Sequence, residues 1–160
     1  LIVTRTFSKA YGLAGLRVGY ALSSAAIADL LNRVRQPFNV NSLAQAAAVA
    51  ALGDREHLAR SRDLNRAGLC QLGQALHAMG LAHIPSVGNF LCFDFGRPAA
   101  PAYEALLRQG VIVRPVANYG MPNHLRVTIG LPEENERFLE ALKTVMGLGL
   151  ERATESARTR

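Results

Sequence analysis

The chain has 160 residues, 49% of them hydrophobic and 19% charged, and a formal net charge of +6. That length suits one ordinary domain, and the apolar share excludes a disordered or collagen-like chain. No apolar run approaches the roughly 20 residues of a membrane helix, so no membrane partner is expected.

Leu1 to Thr4 reads as a short buried strand, Thr6 to Gly15 as a loop rich in small residues, and Arg17 to Leu22 as a second strand closed by Ser23 and Ser24. Ile27, Leu30, Leu31 and Val34 recur at i, i+3, i+4 and i+7, the pattern of one helix face, and Pro37 ends it. Asn41 or Ser42 caps an alanine-rich helix to about Leu52, and Asp54 caps a longer one that ends near Gly80. Val87 to Phe95 reads as a strand, with Phe90, Cys92 and Asp94 alternating against Leu91, Phe93 and Phe95. Tyr103, Leu106 and Leu107 mark a helix closed by Gly110. Val111 to Arg114 and His124 to Ile129 read as strands around an irregular loop. Pro132 opens the last helix, where Glu133, Glu134 and Glu136 suit the positive dipole end. The tail from 149 to 160 lacks periodicity and is expected to fray. The fold class is thus α/β at first, turning into an α+β unit after a division near residues 80–86.

The charge excess raises the question of nucleic acid. The densest basic stretch (Arg55, Arg60, Arg62, Arg66) is interrupted by Glu56 and Asp63 and has no interleaved aromatic residue, so it reads as a solvated helix face and no nucleic-acid partner is expected. Two cysteines, Cys70 and Cys92, are too few for a disulfide scaffold and fit a reduced, cytoplasmic setting. His57, His77, His83 and His124 are scattered without metal-ligand spacing, and no metal is expected. The chain opens on Leu1 rather than Met, as though cut from something longer.

Lysine use is selective: Lys9 and Lys143 stand against sixteen arginines. Arginine keeps its proton, whereas lysine can lose one and become a nucleophile. Lys9 sits in Thr6-Phe7-Ser8-Lys9-Ala10-Tyr11-Gly12-Leu13-Ala14-Gly15-Leu16-Arg17-Val18-Gly19, after two hydroxyl residues and ahead of Arg17. Hydroxyls, backbone N–H groups and a guanidinium fork suit a phosphate monoester, and a lysine beside a phosphate-bearing aldehyde suits pyridoxal phosphate. A glycine-rich loop with a solvated lysine fits the same residues. The order of residues excludes a P-loop, and the glycine spacing excludes a dinucleotide fingerprint.

Ser8-Lys9-Ala10-Tyr11-Gly12-Leu13-Ala14-Gly15-Leu16-Arg17-Val18-Gly19-Tyr20 resembles the lysine motif of fold-type I pyridoxal phosphate enzymes, and most resembles that of the histidinol-phosphate aminotransferases. Gly110-Val111-Ile112-Val113-Arg114-Pro115 and Tyr119-Gly120-Met121-Pro122-Asn123-His124-Leu125-Arg126-Val127-Thr128-Ile129-Gly130 are similar to the end of that subfamily. The resemblance implies the C-terminal part of an aspartate aminotransferase-like fold. Residues 1–82 would be the last strands and helices of the large domain with a connecting helix, and 83–148 the small α+β domain. It further implies that Lys9 bonds the aldehyde of pyridoxal 5'-phosphate and carries protons in catalysis, while Thr6, Ser8 and Arg17 hold the cofactor phosphate. Arg126 would take the substrate's carboxylate or phosphate. Arg114 would assist with the anionic group, and Asn89 could touch substrate. In this sequence Leu125, Val127 and Ile129 form one apolar face, which leaves Arg126 and Thr128 on the other. Tyr11, Tyr20 and both cysteines read as packing residues.

The implied activity is transamination of histidinol phosphate with the 2-oxoglutarate/glutamate pair, by a cytoplasmic homodimer in histidine biosynthesis. Alternatives are an aromatic amino acid aminotransferase, a decarboxylase on the same fold, and an inactive piece or binding module. The family's residues at the pyridine nitrogen, ring hydroxyl and ring face lie upstream of the lysine, outside this sequence, so the isolated chain is expected to be inactive.

Overall fold

The computed structural model describes residues 1–148; the tail expectation for 149–160 lies outside the described residues. The chain divides into two compact units, Leu1–Asp63 and Leu64–Arg160. This division falls well before the expected 82/83 boundary and inside a helix. The reason is packing: Leu72 and Leu76, on the later turns of that helix, are fully buried in the core of the second unit.

In the first unit, β1 (Val3–Thr6) pairs antiparallel with β2 (Gly19–Leu22) from Val3↔Leu22 to Thr6↔Gly19. A Cβ on Gly19 would stand 2.6 Å from the Arg5 carbonyl oxygen, so only glycine permits this approach of the strands. The expectation of a buried first strand is not met. The ribbon has only two strands, and Thr4, Arg5 and Thr6 are exposed. Helix α1 (Ala25–Val34) carries the apolar stripe foreseen from its periodicity, yet buries no residue, and Val34 is 79% exposed. It stops where Arg35 turns extended, two residues before Pro37. Helix α2 (Ser42–Gly53) is capped by Asn41, whose Oδ1 accepts the Ala44 N–H at 2.8 Å. One helical turn apart, Ala44 and Ala48 join Phe7 and Val18 in a small core. Helix α3 (Arg55–Ala78) starts at Asp54, which accepts the His57 N–H at 2.9 Å.

The second unit holds a four-stranded antiparallel sheet of order β3-β4-β6-β5, from β3 (His83–Ile84), β4 (Phe90–Asp94), β5 (Arg114–Pro115) and β6 (His124–Thr128). The two strands foreseen on either side of α4 (Ala100–Arg108) are shorter than their apolar runs. Residues 86–88 turn back on themselves, the Gly88 N–H donating to Ser86 Oγ, so β4 begins only at Phe90. Val111 and Val113 are buried without joining the ladder, which β5 enters at Arg114. Leu91, Phe93, Leu125 and Val127 face a core completed by α4 and α5 (Pro132–Met146), with Phe93 edge-on to Phe138 at 6.0 Å between centroids. Buried Asn135 ties the unit together: it donates to Gln71 Oε1 at 3.0 Å and accepts the Gly130 N–H at 3.0 Å.

Candidate functional site

Between β1 and β2 the chain makes the Lys9 loop. Its ends are pinned by backbone bonds, Phe7 N–H to Val18 O at 3.2 Å and Leu13 N–H to Phe7 O at 3.0 Å. Phe7 is 2% exposed and packs its ring 4.8 Å from that of Tyr11 and 6.0 Å from that of Tyr20, which is itself 43% exposed. With Phe7 turned inward, its neighbours Thr6 and Ser8 stay accessible to solvent.

Those two hydroxyls and Arg17 come together. Thr6 Oγ1 accepts the Ser8 N–H at 3.1 Å, and an Arg17 guanidinium N–H reaches Ser8 Oγ at 3.5 Å. The same nitrogen donates to the Ala14 carbonyl at 2.8 Å. Arg17 follows a 3-10 turn at Ala14–Leu16 and takes a left-handed backbone, φ 51°. A non-glycine residue there is uncommon, and its cost is tolerated only where the surroundings dictate the conformation. No carboxylate stands among the partners of these three groups in the described residues. Two hydroxyls and an unneutralised guanidinium fork fit a phosphate ester. Lys9 is exposed in the same loop, where its carbonyl accepts the Gly12 N–H at 2.8 Å and tightens the turn that presents the side chain.

The second unit carries the other candidate residues. β6 alternates as foreseen: Leu125 and Val127 are buried, and Arg126 lies on the opposite face. There Arg126 stands directly across from Cys92 of β4 and Arg114 of β5. Like charges opposed across a ladder repel, an arrangement that favours an anion between or beside them. Arg126 lines a cavity of about 440 Å³ with Phe90, Cys92, Val116, Tyr119 and Met121. Its Nε is buried with no protein partner among the described residues. Its guanidinium carbon lies 4.9 Å from the centroid of the Phe90 ring. Burial pushes the Cys92 thiol up, against the opposing pull of the Arg126 charge.

Asn89 does not join them. It is exposed, does not line the cavity, and engages β6 through its carbonyl, which accepts the Ile129 N–H at 2.9 Å. Phe90 and Cys92 went unremarked as site residues, although their alternation already placed them on one face; the missing signal was the register of β4 against β6. Among the described residues no group of three or more His, Cys, Asp or Glu is placed to hold a metal, and no helix is long and apolar enough to cross a membrane.

The architecture and these two places define an α/β chain that, among the described residues, presents arginines without carboxylate partners twice, once beside the exposed Lys9 amine and once on a small antiparallel sheet. Residues 1–142 match the family model described as aminotransferase class I and II, and the chain belongs to that family. It is 68% identical over 149 residues to histidinol-phosphate aminotransferase 2 of Pseudomonas fluorescens, covering 93% of this chain and 40% of that protein. The chain thus spans about 40% of the length of the curated relatives it matches. Among solved structures it is similar to histidinol-phosphate aminotransferase from Sinorhizobium meliloti in complex with pyridoxal-5'-phosphate, with a TM-score of 0.81, 33% identity, and coverage of 90% of this chain and 40% of that one. It also matches the fold of Thermotoga maritima aspartate aminotransferase, with a TM-score of 0.81 at 21% identity, covering 91% of this chain and 40% of that one. The fold is therefore the aspartate aminotransferase-like one that the lysine motif implied.

Proposed function

We propose that the protein carrying this chain is a pyridoxal phosphate-dependent aminotransferase that moves an amino group between histidinol phosphate and the 2-oxoglutarate/glutamate pair. The observation that carries this reading is the Lys9 loop, which sets an exposed primary amine in the same turn as an unneutralised Thr6–Ser8–Arg17 cluster. The 68% identity to histidinol-phosphate aminotransferase 2 of Pseudomonas fluorescens supports histidinol phosphate as the substrate.

In this reading Thr6, Ser8 and Arg17 hold the cofactor phosphate, the two hydroxyls by hydrogen bonds and Arg17 by its charged fork. Bound pyridoxal phosphate supplies an electron sink for the charge left when the substrate loses its Cα proton. Lys9 Nζ would hold the cofactor and, as a free amine, would move the proton at the substrate Cα. Arg126 takes the substrate's carboxylate or phosphate, and Arg114, across the ladder, adds positive charge to the same face. Arg126 thereby fixes which Cα bond is presented for cleavage, a positioning effect that lowers the barrier without any chemistry of its own. The same reading makes the protein a cytoplasmic homodimer, with residues 1–82 and 83–148 as parts of its large and small domains. The uncovered apolar stripe of α1 and the 96% exposure of Phe38 support burial of the first unit against further protein.

The test is direct. Purified full-length protein mixed with pyridoxal phosphate should absorb in the visible, and it should form glutamate from 2-oxoglutarate only when histidinol phosphate is present. Glutamate formation with phenylalanine or tyrosine in its place, and none with histidinol phosphate, would replace the substrate assignment with an aromatic one.

A further inference from the structure

We infer that Phe90 is a positioning residue for the substrate anion: its ring holds the Arg126 guanidinium in place while leaving that group's N–H donors free for ligand. The inference rests on the reading of Arg126 as the substrate-anion residue and goes beyond it in naming what orients that arginine.

The geometry follows from the register. Cys92 faces Arg126 and Phe90 faces Thr128, so Phe90 is the diagonal neighbour of Arg126 on the cavity face of the sheet. That separation is within reach of an aromatic ring and a long side chain. The guanidinium carbon sits 4.9 Å from the ring centroid, inside the range in which a cation is attracted to the face of a ring. Among the described residues no carboxylate pairs with Arg126, and its Nε has no partner at all.

The choice of partner matters chemically. A guanidinium presents five N–H donors in one plane and none along its faces. An aspartate or glutamate would fix it by occupying two of those donors and cancelling its charge, so a substrate anion would have to displace a protein carboxylate. A ring against the guanidinium restrains the side chain, takes up no donor in an ion pair and leaves the charge unneutralised. Phe90 is 36% exposed, so it is not a core residue whose main work is packing; Leu91 and Phe93, its neighbours on the other face, are 2% and 0% exposed.

The experiment uses full-length protein loaded with pyridoxal phosphate and four variants: Phe90→Leu, Phe90→Trp, Arg126→Leu, and Phe90→Leu with Arg126→Leu. Two quantities are read for each. One is KM and kcat for histidinol phosphate; the other is the calorimetric dissociation constant of glutarate, a dicarboxylate with no amine to react. Phe90→Leu should weaken glutarate binding and raise KM by about tenfold, with kcat changed less. Phe90→Trp, which keeps a ring face, should restore both. In the Arg126→Leu background, Phe90→Leu should add nothing. If Arg126→Leu is damaging while Phe90→Leu leaves both quantities within about twofold of the parent, the role of Phe90 is overturned and the Arg126 assignment stands. Equal damage from Phe90→Leu and Phe90→Trp would reduce Phe90 to a packing residue. If Arg126→Leu itself changes neither quantity, the substrate site is misassigned and the inference goes with it.

Discussion

Arg17 is asked to do two things at once, and two substitutions separate them. Its side chain is assigned to the cofactor phosphate, while its backbone sits in the left-handed region at φ 51°. Removing a charged hydrogen-bonding partner of a phosphate costs about 2–3 kcal/mol, or roughly 30- to 150-fold in affinity. That loss should be the same in Arg17→Ala and Arg17→Gly, since neither retains a guanidinium. Stability should differ between them. Alanine inherits the left-handed strain, about 1–2 kcal/mol, whereas glycine takes this conformation freely but gives back about 0.5–1 kcal/mol in unfolded-chain entropy. The glycine variant should therefore be more stable than the alanine variant by up to about 1.5 kcal/mol. Both also lose the bond to the Ala14 carbonyl, which cancels in the comparison. Cofactor affinity is read by titrating absorbance, and stability by urea unfolding of the cofactor-free protein. An unchanged cofactor dissociation constant in either variant would refute the phosphate role. A glycine variant no more stable than the alanine variant would refute the account of the backbone.

Two further outcomes follow from single groups. Lys9→Arg keeps the charge but not the amine nucleophile, so the full-length variant should fold, lose the visible absorbance of bound cofactor, and lose transamination; turnover near the parent rate would sink the assignment. Cys92 is buried and its thiol is pushed up, so at pH 8 it should remain protonated and react with iodoacetamide far more slowly than exposed Cys70, the gap closing only at pH above the usual thiol range; equal labelling of the two at pH 8 in folded protein would contradict it.

Local chemistry was the legible part of this sequence. Asn41, Asp54 and Pro132 announce helix starts because each satisfies or omits an N–H that the first turn leaves unpaired, and the structure begins α2, α3 and α5 beside them. The hydroxyls and the guanidinium around Lys9 were readable for a similar reason, since all three lie in the one loop between β1 and β2 or at its edge. Features set by distant partners were not readable. The stripe on α1 shows which residues want burial but not what covers them. The unit boundary within α3 depends on Leu72 and Leu76 finding the second core, which periodicity cannot show. The placement of Phe90 against Arg126 required the register of two strands more than thirty residues apart, and Asn89 fell outside the cavity because its backbone closes the ladder to Ile129.

Arg126→Lys is the sharpest test of the substrate site because it conserves charge and changes only geometry. A planar carboxylate or phosphate is held best by two parallel N–H bonds, which an ammonium cannot supply. The lysine also loses the guanidinium that lies 4.9 Å from the Phe90 ring centroid, so it gives up that contact together with the fork. A substrate held by a point charge can swing, and its Cα–H bond leaves the orientation that proton removal requires. KM for the amino donor should therefore rise and kcat fall together, each by about tenfold or more. The visible absorbance of bound cofactor should persist, because Thr6, Ser8, Lys9 and Arg17, to which the cofactor is assigned, are untouched. A surface arginine would tolerate the exchange at almost no cost. Steady-state kinetics with histidinol phosphate, and separately with glutamate, distinguish the two: both parameters within about twofold of the parent for both substrates would place Arg126 outside the substrate site, whatever the Lys9 loop does.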